Sequence, residues 1–186
     1  MPRNRRPRDR EEKRAEIVAA ARRLFVERGY EAVSVARIAG AAEVVSNTVY
    51  WYFQDKDAVL IAVLDEVLAD SLDRFDAVAR ADLVDRLVWV VDELEQVSRL
   101  VSTVHARSKE SAAVREWHDR FHLLAEGMFR IELAELGLSD ADLDAVIAMG
   151  VFVIEGLLMH SPGAADKRAV LSALVRGIRG LAVTAP

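Results

Sequence analysis

The chain contains no cysteine. Disulfides and thiolate chemistry are thereby excluded, and a reducing compartment is compatible with that absence. Proline (4) and glycine (9) are scarce among 186 residues, too few for Pro/Gly-rich linkers or low-complexity segments. No internal repeat is visible. No window approaches the roughly 20 apolar residues of a membrane span. The most apolar stretch, residues 148–159, is short and carries Glu155. The N-terminus is basic, but Glu11, Glu12, Lys13 and Arg14 stand where a signal peptide needs an apolar stretch, so a cytoplasmic location is expected. No Gly-rich phosphate loop or G-x-S-x-G elbow occurs, and no thiol nucleophile exists, so an enzyme is not expected.

What remains is a globular balance of 52% hydrophobic and 30% charged residues, enough for a sizeable core. The net charge of −5 is unevenly placed. Residues 1–60 carry 12 Lys/Arg against 9 Asp/Glu, a net of +3, and residues 61–186 carry 13 against 21, a net of −8. A basic head on an acidic body suggests that only the head approaches a polyanion.

Nearly every segment has helical periodicity, and the expected class is all-α. Asp9 with Glu12 resembles a capping box, and Ile17, Ala21, Leu24 and Phe25 form the stripe of a first helix that Gly29 ends. Ser34 suits the N-cap of a short second helix carrying Ile38 and Ala39. A third runs from about Val45 to Trp51, and a longer one restarts near Asp55. Asp82 opens a helix whose apolar side extends to Val101. Ser108 to about Leu136 forms another, with a break expected near Ser111. Ser139 with Asp142 caps the next, which Ser161-Pro162-Gly163 stops, and a last helix covers about Ala165 to Val183.

Two short helices joined by a tight turn, after one capped helix, have the layout of a helix-turn-helix. On the third helix Val45, Val49 and Phe53 share the inward register, leaving Ser46, Asn47, Tyr50 and Trp51 on the opposite face. That face is polar and aromatic without an acid, as contact with base edges or phosphates requires.

This stretch resembles the head of the TetR family of tetracycline-repressor-type regulators. The residues that carry the resemblance are Leu24-Phe25, Gly29-Tyr30, Ser34, Ile38-Ala39, Val44, Thr48-Val49-Tyr50, Tyr52-Phe53 and Lys56. The resemblance covers roughly residues 10–60. It implies a three-helix DNA-binding head at residues 9–57, and a helical effector-binding and dimerisation body at residues 58–186. It also implies that Ser46, Asn47 and Thr48 enter the major groove, while Tyr50 and Lys56 grip phosphates. Ser34 and Arg37 would meet the backbone or a base edge, with Trp51 and Tyr52 as further contacts. The tail of Arg3, Arg5, Arg6 and Arg8 would reach a minor groove or stay disordered. Two positions depart from the family pattern: Glu43 replaces the turn glycine and Val45 the capping serine. Glu43 must accept a strained turn or shift its geometry. Ser46 is then the expected cap.

For the body, the resemblance implies an effector pocket, with Trp89, His105, Trp117, Phe121 and Phe152 as candidate lining residues, and homodimerisation through the last two helices. Core packing uses the same residue types. Glu155, in the most apolar helix, is open to three readings, a buried acid meeting a cationic effector, an acid meeting an arginine across a dimer interface, or a solvated helix-edge residue, with the interface preferred, and Gly150 and Gly156 would permit close helix contact. His118 and His122 stand at i, i+4 with Glu126 beyond, a spacing that can bind zinc. No second cluster completes four ligands in the sequence, so no metal or other cofactor is expected.

The function expected is sequence-specific regulation of transcription, repression foremost, with a small-molecule effector releasing the protein from a palindromic operator. The alternatives are ligand-independent DNA binding and a metal-dependent helical enzyme using His118, His122 and Glu126.

Overall fold

The computed structural model describes residues 7–136 and 138–184. The tail arginines Arg3, Arg5 and Arg6, and the side chain of Arg8, lie outside what is described. Among the described residues every regular element is helical: α1 (Pro7–Arg28), α2 (Val35–Ala41), α3 (Ser46–Tyr52), α4 (Lys56–Phe75), α5 (Leu83–Gln96), α6 (Ser98–Arg107), α7 (Ala112–Leu133), α8 (Asp140–His160) and α9 (Ala164–Thr184), with one 3-10 turn at Ala134–Leu136.

Several boundaries have local causes. Ser34 caps α2, its hydroxyl oxygen accepting from the Arg37 N–H at 3.2 Å, and Asp82 caps α5 through the Asp85 N–H at 3.0 Å. Ser139 caps α8 in the same way, and Ser161 ends it in the left-handed conformation at φ 42°. Helix α1 begins at Pro7, two residues before Asp9, whose side chain lies outside what is described. Proline suits a first turn, where its missing N–H has no helical acceptor. The helix expected to run from Asp82 to Val101 is two helices, broken at Val97 (φ −116°, ψ 25°).

The chain forms two compact units. The first takes the residues up to Ser71 together with Arg99–His118; the second takes Leu72–Ser98 and the residues from Asp119 onward. The boundary expected between residues 57 and 58 therefore lies within the first unit.

In the first unit, Ile17, Ala21 and Phe25 of α1, Ile38 of α2, Val49 of α3 and Val59, Leu60 and Val63 of α4 are fully or almost fully buried. Leu100 and Val104 of α6 and Val114 of α7 are buried too. In the second unit, Leu133, Leu143, Val146, Ile147, Leu174 and Ile178 form one cluster of α7, α8 and α9. Leu87, Val91, Leu157, Leu171 and Val175 form another, of α5, α8 and α9. Lys167 is 5% exposed, and its ammonium meets Asp92 and Glu95 at 2.5 and 2.7 Å, so this buried charge is doubly compensated.

The apolar character of α8 exceeds what residues 148–159 suggest. The helix is long and apolar enough by composition to cross a membrane, with a mean hydropathy of 1.8. Leu143, Val146, Ile147, Gly150 and Leu157 nevertheless supply one face of it to the core. Gly150 is needed for that packing, since a Cβ there would stand 2.9 Å from the Phe129 ring. Among the described residues nothing lies within 4 Å of such a position at Gly156.

Candidate nucleic-acid interface

The turn between α2 and α3 is built around Glu43, which adopts φ 53°. A left-handed residue closes this turn, with the Val44 N–H donating to the Ala39 carbonyl at 2.9 Å. Of the two outcomes open to Glu43, the chain takes the strained one, at about 1–2 kcal/mol for a residue with a Cβ.

Val45 then precedes α3 with extended backbone (φ −85°, ψ 154°) and provides no side-chain cap. Two expectations change as a result. Val45 is not inward-facing but 69% exposed, because an extended N-cap residue does not share the register of the helix after it. Ser46 is the first helical residue rather than the cap, which leaves its hydroxyl available for an outside partner. Val49 and Phe53 are buried as the spacing predicts.

Asn47, Tyr50 and Trp51 stand exposed on α3, the two rings at 54% and 60%, while Ser46, Thr48 and Tyr52 are half-buried. Trp51 meets Tyr52 edge to face at 4.7 Å. The Arg10 guanidinium of α1 lies 4.5 Å from the Trp51 ring centre, adding a cation beside this face. Arg10 was not singled out in the sequence, where nothing connects it to a position 41 residues away. Arg14 lies similarly over Phe53 at 5.2 Å. Ser34 and Arg37 are both exposed at the start of α2.

Lys56 is placed differently from a free phosphate contact. Its ammonium donates to the carbonyls of Tyr30 and Val33 at 3.1 and 3.2 Å and lies 3.8 Å above the Tyr30 ring. Two of its three N–H groups therefore tie the α1–α2 loop to the start of α4, leaving one for a phosphate.

Beneath this surface lies a polar junction. The Asp57 carboxylate accepts a bidentate pair from Arg107 at 2.7 and 3.2 Å and a hydrogen bond from the Tyr30 hydroxyl. Burial would raise the Asp57 pKa, but hydrogen bonds from Arg107, Tyr30 and Ser111 outweigh it and hold the carboxyl below its usual range. Burial and Asp57 together push the Tyr30 phenol upward, so it remains a donor. Nearby, the Trp117 indole donates to Asp65 at 2.7 Å, and Arg99 donates to the carbonyls of Val26 and Glu27. These contacts hold α6 and the start of α7 to the helices of the head.

Residues 17–63 match the model of the TetR family of bacterial regulatory proteins. The head of this chain is a TetR-family head. Over 58 residues the chain is 43% identical to the HTH-type transcriptional regulator HbdR of Aromatoleum sp. (strain CIB), a stretch covering 31% of this chain and 25% of that protein. Matches to the curated relatives thus span a quarter to under half of their lengths. Likeness of fold extends further. A transcriptional regulator from Rhodococcus sp. Rha1 superimposes with a TM-score of 0.76 at 19% identity, covering 93% of this chain and 99% of that one. A transcriptional regulator from Saccharomonospora viridis, solved in complex with choline, gives 0.70 at 21% identity, with 89% and 96% covered.

Behind the TetR-type head, the candidate pocket residues are dispersed. Trp117 is 7% exposed and held by Asp65, and His105 packs edge to face on His118 at 5.2 Å, all in the first unit. Trp89 meets Phe75 in a tilted contact at 5.6 Å in the second unit, where Phe121 meets His122 edge to face at 5.9 Å. Phe152 is 69% exposed on α8, so within the described chain it lines no interior. Glu155 is half-exposed, 3.9 Å from His122.

Proposed function

We propose that the protein is a sequence-specific DNA-binding transcriptional regulator, a repressor in its usual mode, acting as a cytoplasmic homodimer that a small molecule releases from an inverted-repeat operator. The exposed face of α3 carries this reading: Asn47, Tyr50 and Trp51 stand out from a short helix without an acidic side chain, beside the Arg10 guanidinium. Such a face offers hydrogen-bonding groups for base edges, cations and hydroxyls for phosphates, and no charge that repels them.

The dimer is supported by a stripe on α8. Met149, Phe152 and Met159 are 47%, 69% and 79% exposed, and with Gly156 they fall at i, i+3, i+7 and i+10. Val170 and Leu181 add exposed apolar surface on α9. A second copy laid on this stripe would cover it, and the absent side chain of Gly156 would let the partner helix approach closely. Two heads so joined would read half-sites one helical turn, about 34–36 Å, or a multiple of it apart. An effector that altered their separation would lower affinity by loss of bivalency.

The test is selection of bound sequences from a random duplex pool at near-physiological salt. Enrichment of an inverted repeat is expected. A folded, dimeric protein that enriches nothing would overturn the reading.

A further inference from the structure

A cation and a ring from two different helices meet beside the exposed face of α3. Arg10 is on α1 and Trp51 on α3, both within the first unit. The guanidinium carbon lies 4.5 Å from the indole ring centre, and the indole in turn meets the Tyr52 ring edge to face. We propose that Arg10 contacts the DNA backbone, taking a phosphate on the wall of the major groove, and that Trp51 is its positioning residue. The inference rests on the DNA-binding reading and extends the contact surface from α3 to α1.

Packing alone accounts for less than this. Arg14, one turn along α1, lies over Phe53, a ring only 5% exposed, and so covers a core residue. Arg10 lies over a ring that remains 60% exposed, and it closes no core. Arg22, further along the same helix, is held by Glu66 and Asp70. Among the described residues no carboxylate or carbonyl takes the N–H groups of Arg10. Stacking occupies one face of the guanidinium and leaves those N–H groups available in its own plane. Such a planar fork matches two oxygens of a phosphate.

The place of the pair on α3 selects the backbone over the bases. Trp51 stands one turn beyond Asn47 on the same exposed face. In a helix-turn-helix the first residues of the second helix reach base edges. Its later residues stand toward the groove wall, where phosphates are presented. An arginine there loses rotamer freedom when it binds, and the indole removes part of that cost in advance by holding the guanidinium in place.

The experiment measures the affinity of the full-length protein for the selected operator and for a random duplex across a range of salt concentrations. Each phosphate contact contributes about 0.9 to the slope of log K against log salt. Arg10→Gln should reduce that slope by about 0.9 and weaken binding to both duplexes by about fivefold to tenfold near physiological salt. Trp51→Leu should weaken binding to both duplexes several-fold and leave sequence preference unchanged. In the double variant it should add little to the loss from Arg10→Gln, because the two residues act as one unit. Trp51→Phe, which keeps a ring beneath the guanidinium, should restore most of the affinity. Circular dichroism and the melting temperature of each variant separate lost contacts from misfolding. An unchanged slope in folded Arg10→Gln would overturn the backbone contact. Additive losses in the double variant, or an altered sequence preference in Trp51→Leu, would overturn the positioning role. A folded parent that binds no duplex would overturn the DNA-binding reading itself, an outcome distinct from both.

Discussion

At the scale of single residues, the head combines one strained position with several well-placed polar groups. Glu43 sits at φ 53°, where glycine has no Cβ to clash. Glu43→Gly should therefore stabilise the protein by about 0.5–1 kcal/mol, the relief of strain being partly offset by the freedom glycine gains when unfolded. Chemical denaturation would show this, and a loss of stability would mean that Glu43 makes a compensating contact. Reading and gripping residues separate in the same way. Asn47→Ala should alter sequence preference, by roughly 1–3 kcal/mol at the base it reads, whereas Tyr50→Phe should weaken binding to all duplexes alike. Equal losses on operator and random DNA for Asn47→Ala would remove its assigned role. Asp57 makes a prediction for pH. Its folded pKa lies below the usual carboxylate value, so the stability it contributes is complete above the unfolded value of about 3.9 and is lost as pH falls through the folded one. The denaturation midpoint of the parent should thus fall more steeply below about pH 4 than that of Asp57→Asn.

At the scale of helices, local signals were legible and distant ones were not. Ser34, Asp82 and Ser139 act as caps because a cap depends on residues two or three positions away. The buried register of Val49 and Phe53 is likewise local periodicity. Val45 departed from that register because its backbone is extended, a consequence of the tight turn before it. Sequence also could not show the break at Val97, where apolar periodicity continues through a change of direction. Gly150 and Gly156 looked equivalent in sequence, yet only the first has a neighbour at the Cβ position. Gly150→Ala should cost about 1 kcal/mol as the Phe129 ring is displaced, against the gain in helix propensity. An unchanged melting temperature would mean that the ring moves freely.

At the scale of the whole molecule, all-helical architecture and the place of the head were readable from periodicity, charge asymmetry and one registered motif. The composition of the first unit was not. It depends on Arg107 meeting Asp57 and Trp117 meeting Asp65, pairs about fifty residues apart whose partners no local pattern names. The same limit hid the ring contact of His105 with His118, which only the fold brings together. Assembly offers its own check. Phe152→Arg should leave the isolated chain folded, because the ring packs on no core, but should shift sedimentation from dimer to monomer. A dimer of unchanged strength would place the interface elsewhere.

The first unit is assembled from two separated stretches of chain, and this bears on attempts to exchange recognition heads between regulators. A graft cut after residue 57 would carry Tyr30 and Asp57 to the new body but leave Arg107 behind, exposing a half-buried carboxylate without its cation. The last turn of α1, at the carbonyls of Val26 and Glu27, would similarly lose Arg99. A transferable head for this protein is a two-piece cassette, residues 7–71 with 99–118, and a donor sequence must match the recipient at both seams.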